Sequence, residues 1–178
     1  MDFMPCEFRI KWADFAWEYE GAHALRREVF CVEQGLFGDD DRDAIDNHAH
    51  LLVALSCVGG AHDEVVGTVR IHREAPQVWW GSRLAVAANY RAMGRIGATL
   101  IRLAVSSAHA RGCDTFLAHV QCQNVPLFNR MQWQSLREEQ LHGRLHHLMR
   151  ADLAHYPPCA TPYTGFVARA TARQAAAA

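Results

Sequence analysis

The run Arg83-Leu-Ala-Val-Ala-Ala-Asn-Tyr-Arg91-Ala-Met-Gly94-Arg-Ile-Gly97-Ala-Thr-Leu100 carries the clearest chemical signal in this chain of 178 residues. An apolar strand enters a turn rich in arginine and glycine, and the turn opens at once into an amphipathic helix. The first turn of a helix leaves backbone N–H groups unpaired, and its dipole favours negative charge. Glycine lets the backbone approach an anion, and Arg91 and Arg95 add charge-assisted contacts. This pattern suits a phosphate-bearing ligand. It is also compatible with an ordinary strand-to-helix connection.

Other residue groups could do chemistry. Asp39, Asp40, Asp41, Asp43 and Asp46 follow Gly38 in an acidic loop that could attract a cation, or simply be solvated. Eleven histidines include His48-x-His50 and His142-x-x-x-His146-His147. Histidines four apart share a metal best on a helix, and Gly143 argues for a turn there, so no metal is expected. The six cysteines form no Cys-x-x-Cys pair and read as reduced thiols, most of them small apolar fillers.

These residues need elements to place them. Phe8–Trp12 alternates as a strand, and Tyr19–Gly35 has helical spacing through Leu25, Val29 and Val32. His50–Val58, Val65–Ile71 and Val78–Val86 read as three strands, the first two joined by the turn residues Gly59 and Gly60. Gly94–Arg111 has an apolar face of Ile96, Leu100, Leu103, Ala104 and Ala108, with Gly112 as its stop. Thr115–Cys122 is a strand and Asn124–Arg130 a short helix with an early proline. Trp133–Gln140 and Leu145–Leu153 form a hairpin around His142-Gly143. The order implies a single α/β unit with a mixed sheet over residues 1–158, and a loosely ordered tail over 159–178.

Half of the residues are apolar and the net charge is −1, ordinary for a globular domain and unlike a general nucleic-acid binder. No apolar run is long enough to cross a membrane, and the N-terminus lacks the features of a signal peptide, so a cytoplasmic location is expected.

The strand–turn–helix run at Arg91-Ala-Met-Gly94 resembles the pyrophosphate-binding turn of the GNAT superfamily of acyl-CoA-dependent N-acyltransferases. It departs from the usual spacing, with Ile96 where that family has its second glycine and Gly97 one place later. The stretch Ala118-His-Val-Gln-Cys-Gln-Asn124-Val-Pro-Leu-Phe128-Asn-Arg-Met-Gln-Trp133 is similar to the family's strand, asparagine and helix. Leu25-Arg-Arg-Glu-Val-Phe-Cys-Val-Glu33-Gln34, with Asp43, Asp46 and His50, is similar to a bacterial branch of it. The resemblance covers residues 6–156. It implies a central, mostly antiparallel twisted sheet flanked by helices, and transfer of an acetyl group from acetyl-CoA to a small-molecule amine. A homodimer is compatible with it.

On this resemblance, Leu84, Ala85 and Val86 would run beside the pantetheine arm, with the Val86 N–H polarising the thioester carbonyl. Arg91, Met93, Gly94, Arg95, Ile96, Gly97 and Ala98 would form the pyrophosphate turn, and Asn124 and Phe128 would complete the cofactor site. Glu33 ranks first and His119 second as the base that deprotonates the amine. Gln34, Asp43 and Asp46 would belong to the acceptor pocket. The family's usual tyrosine acid is replaced by Phe128, which has no proton to give. Cys122, Tyr90 or water remain as substitutes. Two alternatives stay open: an acyl-homoserine-lactone-synthase-like acyltransferase, suggested by Ser82-Arg83-Leu-Ala-Val, and a non-catalytic acyl-CoA sensor.

Overall fold

The computed structural model describes residues 5–93 and 95–170. Its elements are β1 (Glu7–Trp12), α1 (Ala16–Arg26), β2 (His50–Val58), β3 (Ala61–Ala75), β4 (Val78–Val86), α2 (Ile96–His109), β5 (Thr115–Gln121), α3 (Val125–Arg130), β6 (Trp133–Leu141), β7 (Arg144–Ala151) and β8 (Phe166–Arg169). The strands form one eight-stranded sheet in the order β6-β7-β5-β4-β3-β2-β1-β8. β4 and β5 pair in parallel, and the other neighbours pair antiparallel, which gives the expected mixed, mostly antiparallel sheet.

Helix α2 crosses from β4 to β5, as a parallel pair requires. It buries Ile96, Leu100, Ile101, Leu103, Ala104 and Val105 against the main core of the sheet. Gly67 of β3 makes this close contact feasible, because a Cβ there would lie 3.0 Å from both Ile96 Cγ2 and Leu100 Cδ1. Helix α1 covers the opposite face, where Leu25, Val29 and Phe30 pack on Ala85.

The helix expected over Tyr19–Gly35 starts earlier, at Ala16, and changes character after Arg26. Residues Arg27–Glu33 wind as a π-helix, with Gln34 N–H bonded back to Val29 O. Apolar spacing alone does not show such a widening, because 3.6-residue and wider windings bury similar positions over one turn. The helix expected from Gly94 begins at Ile96, and Gly94 itself lies outside the described residues.

The tail reading needs correction over 159–170. Cys159 N–H bonds Ser106 O, Pro162 O accepts from Trp12 N–H, and β8 pairs with β1 from Ile10↔Phe166 to Glu7↔Arg169. Gly165, at φ +61°, makes this docking possible, since a Cβ there would fall 1.9 Å from the Ile10 carbonyl oxygen. Residues 171–178 lie outside the described residues.

Candidate active site

The parallel pairing of β4 and β5 runs only from Val78↔Thr115 to Gly81↔Ala118. Beyond these residues the strands diverge, so Ser82 and His119 stand at a fork. The cause lies in β4. Arg83 takes a left-handed conformation, φ +55°, and the pairing of β4 with β3 slips between Arg70↔Ser82 and Thr68↔Ala85. One extra residue in a strand bends it and strengthens its twist. The bulge turns the end of β4 away from β5.

Ala87 N–H bonds Val66 O, so Gly67↔Val86 is a pair without mutual hydrogen bonds. In such a pair the N–H and C=O point away from the partner strand, here away from β3 and towards the fork. The Val86 N–H is therefore not paired with β3. The Val86 carbonyl accepts from Arg91 Nε at 3.0 Å.

A cavity of about 710 Å³ passes through the fork. On the α1 face it is lined by Phe37, Asp43, Arg83, Trp80, His119 and Gln121, and on the α2 face by Ile101, Ala104, Val105, Phe116, Phe128 and Trp133. This size falls in the range of small-molecule sites. His119 shares its strand face with Gln121, and its ring lies against Trp80 with centroids 5.1 Å apart. Its Nε2 is 2.8 Å from Glu139 Oε2, and Glu139 is held in turn by Arg137 Nε on Oε1. The Arg137 hydrogen bond is the chief reason that the Glu139 carboxyl sits below its ordinary pKa. Glu139 thus stays an anion, and His119 Nδ1 has no hydrogen-bond partner among the described residues. Sequence reasoning reached His119 but not Glu139, which is 20 residues away and two strands over.

Glu33, ranked first as base, is not among the residues lining the cavity. It accepts from Arg91 Nη1 at 2.8 Å and from Nη2 at 2.6 Å. That two-point bond lowers its pKa, which makes it a weaker base. Gln34 does face the cavity and accepts from Gln121 Nε2 at 2.9 Å.

Of the two aspartates expected in the acceptor pocket, Asp43 lines the cavity and Asp46 does not. Asp41, Asp43 and Asp46 are tied to Arg26, Arg70 and Arg83. Arg26 donates from Nε to Asp41 at 2.8 Å and from Nη1 to Asp46 at 2.6 Å. Arg70 Nη1 reaches Asp43 at 2.7 Å and Asp46 at 2.8 Å, while Arg83 Nε lies 2.9 Å from Asp41. Burial opposes ionisation of Asp46, but the bonds from Arg26 and the Asp43 N–H outweigh it and hold the carboxyl well below its usual range. Asp43 is lowered in the same way, with Arg70 as its main partner. Three aspartates facing three arginines leave no net charge to attract an amine. The network instead forms a rigid floor, and Phe37 lies 4.4 Å from the Arg83 guanidinium.

At the turn before α2, Met93 and Ile96 are fully buried, so their side chains belong to the core. Arg91 and Arg95 are exposed, and Thr99 N–H makes an i→i−4 bond to Arg95 O at 2.9 Å. Gly97 and Ala98 precede it in the first turn. Asn124 is exposed at the end of β5, and Phe128 is packed edge-on to Trp133 at 5.0 Å. Burial and a hydrogen bond to Glu64 push the Tyr90 hydroxyl far up, so it is a weak acid. Among the described residues no three His, Cys, Asp or Glu side chains converge as a metal site, and no helix is long and apolar enough to cross a membrane.

The fold has many solved counterparts. A putative N-acetyltransferase from Lactobacillus plantarum superposes with a TM-score of 0.71 at 21% identity, covering 81% of this chain and 97% of that one. Escherichia coli ElaA gives 0.67 at 16% identity, covering 83% and 99%. The AHL synthase LasI gives 0.63 at 14%, covering 83% and 90%. At these identities the likeness concerns the fold alone. No curated protein matches the chain. The model of the GNAT acetyltransferase family matches residues 10–132, more than two thirds of the sequence. The chain belongs to the GNAT acetyltransferase family.

Proposed function

We propose that this protein transfers an acyl group from an acyl-CoA thioester to the amine of a small molecule. The observation that carries the reading is the fork between β4 and β5, with the Val86 backbone on one arm and the His119–Glu139 pair at its base. Acetyl-CoA is the donor that the family resemblance implies. The exposed arginines and the first turn of α2 suit its pyrophosphate. The open edge of β4 suits the amides of its pantetheine arm, which would bond it as an added strand.

In this reading His119 is the base. With Nε2 held on Glu139, the lone pair of neutral imidazole lies on Nδ1. Nδ1 takes the proton from the acceptor ammonium. The amine nitrogen then attacks the thioester carbon, the Val86 N–H stabilises the oxyanion, and the C–S bond breaks. The second amine proton is lost to solvent, and the imidazolium returns its own to the departing thiolate. Phe128 takes no part in proton transfer. Gln34, beside Gln121, lies where the acceptor would enter.

The test is release of free CoA thiol from acetyl-CoA and longer acyl-CoAs across a panel of small amines. Turnover that His119→Gln abolishes supports the reading. Tight acyl-CoA binding with no turnover on any amine would favour a sensor.

A further inference from the structure

The two faces of the cavity differ in what they offer a ligand. On the α2 side Ala104, Val105 and Phe116 are at most 2% exposed and belong to the packed core. On the α1 side the apolar lining is only half-buried: Leu36, Phe37, Ile45, Trp80 and Leu141 all keep open surface. Contact surface for an acceptor therefore lies on the α1 side.

The polar groups of this side are largely engaged with one another. Ser82 Oγ accepts from Arg70 Nε at 2.9 Å, and the Gln121 side chain bonds those of Gln34 and Gln123. Asp41 and Asp43 are held by arginines, and His119 by Glu139. The other charged residues that line the cavity, Arg42 and Glu74, are exposed and opposite in sign. A sugar-like acceptor needs many free donors and acceptors, and a polyamine needs a wall with net negative charge. The α1 side instead presents apolar carbon, and much of it is aromatic.

Trp80 stands in the middle of this surface. It pairs with His72 on β3 and with Leu117 on β5, so it sits one row from His119 towards the paired end of the fork. The Trp80 and His119 rings are 5.1 Å apart between centroids. Phe37 and His142 form a second aromatic pair at 4.9 Å, and both line the same cavity. Arg144 Nη2 donates to Gln34 O at 2.7 Å, which ties the β6–β7 turn carrying His142 to the segment carrying Phe37. Aromatic rings meet other rings best when offset-stacked or edge-on, and gain from it beyond the area they bury.

We infer that the acceptor is an arylalkylamine, an amine joined by a short linker to a flat aromatic ring. Trp80 is the surface on which that ring lies, and Phe37 with His142 is a second aromatic wall. This rests on the acyl-transfer reading above. An amine that hydrogen-bonds His119 Nδ1 while its ring contacts Trp80 has room for a linker of about one to three carbons. Trp80 and Phe37 are then the residues that set acceptor specificity.

The experiment compares phenethylamine and tryptamine with n-hexylamine and spermidine on the intact protein. Turnover is read as CoA thiol release from acetyl-CoA, and amine binding by calorimetry with CoA present. The two aromatic amines should exceed n-hexylamine in kcat/KM by about 3- to 10-fold. Trp80→Ala should raise the KM of phenethylamine about tenfold and erase its advantage over n-hexylamine, and Trp80→Phe should restore most of it. Phe37→Leu, which keeps apolar volume, should lower the same ratio, and thermal unfolding checks that each variant folds. The wild-type series decides the matter even if a variant is unstable. Equal or better turnover of n-hexylamine or spermidine would overturn the aromatic acceptor and leave acyl transfer standing. Tight binding of the aromatic amines, lost in Trp80→Ala, with no turnover of any amine would support the aromatic pocket and overturn the transfer reading. Failure of every amine to bind or react would overturn both.

Discussion

Glu33 and Arg91 join the π-helical turn after α1 to the turn before α2 through a two-point ion pair. Each was expected to work alone, one as the base and the other on the pyrophosphate. Their pairing means that a pyrophosphate arriving at Arg91 competes with a carboxylate already there. Glu33→Gln removes the competitor. We expect it to tighten acyl-CoA binding several-fold while kcat stays within about threefold. Arg91→Glu should remove most of the thermal stabilisation that CoA gives the folded protein by mass action. A loss of kcat by about 100-fold in Glu33→Gln, with KM unchanged, would restore Glu33 as the base.

The His119–Glu139 pair makes a separate prediction. His119→Gln should lower kcat by about 10²–10⁴-fold with little change in acyl-CoA affinity. Glu139→Gln should also lower kcat, because an amide can donate to Nε2 and so move the ring proton to Nδ1, the wrong nitrogen. Nitrogen-15 spectra of the His119 ring should show that change of tautomer, and His119→Gln identifies its signals among the eleven histidines. An unchanged ring spectrum in Glu139→Gln would remove Glu139 from the mechanism.

The buried arginine floor should dominate stability. Arg26 is fully buried, and Arg26→Met takes from Asp41 and Asp46 one of the two arginines that each contacts. Breaking a buried pair by removing one member typically costs about 3–5 kcal/mol. Urea unfolding measures it. A loss below about 1 kcal/mol would mean that water or Arg70 takes over the role of Arg26.

Acid should expose the same floor. The carboxyls of Asp43 and Asp46 have folded-state pKa values below the ordinary 3.8, so the unfolded chain binds more protons as pH falls. Their contribution is fully present above about pH 5, and it is lost progressively as pH drops below 4. Asp46→Asn should flatten that acid limb in unfolding titrations at stepped pH. A limb of unchanged steepness would assign acid sensitivity to other groups.

Gly165→Ala tests the docked tail. A methyl group at this backbone conformation meets the Ile10 carbonyl, so β8 must shift or detach. Limited proteolysis should then cut after Arg169 much faster than in the wild type. Equal cleavage rates would mean that β8 remains docked despite the added methyl.

The strands of the site were legible because alternation is local. His119 shares a face with Gln121, as its two-residue spacing demands, and Trp80 meets it from the neighbouring strand. What was not legible depends on contacts distant in sequence. Asp46 follows Arg26 by 20 residues, and Asp43 precedes Arg70 by 27, so a row of aspartates reads as an open acidic loop until its arginines are seen to close on it. The positive φ of Arg83 was hidden for another reason. Glycine, asparagine and aspartate announce that conformation, and arginine does not. β8 was missed because Thr, Pro and Gly around it carry a turn signal, and the four-residue strand between them is shorter than any periodicity test resolves.

The bulge at Arg83 has one more consequence. In the proposed acyl transfer its backbone opens the slot for the donor, while its side chain reaches Asp41 and Asp43 in the floor on the acceptor side. One position therefore sets the geometry of both half-sites. Glycine there would keep the bend and empty the floor of a cation. Lysine would keep a charge but could not span both carboxylates with a planar fork. On that reading, donor and acceptor preferences are not modular in this scaffold. Recombining the α1-side loops of one relative with the β4–α2 segment of another would cut through a shared hinge, and chimeras that move residues 26–46, 70 and 83 as a set are the ones this architecture permits.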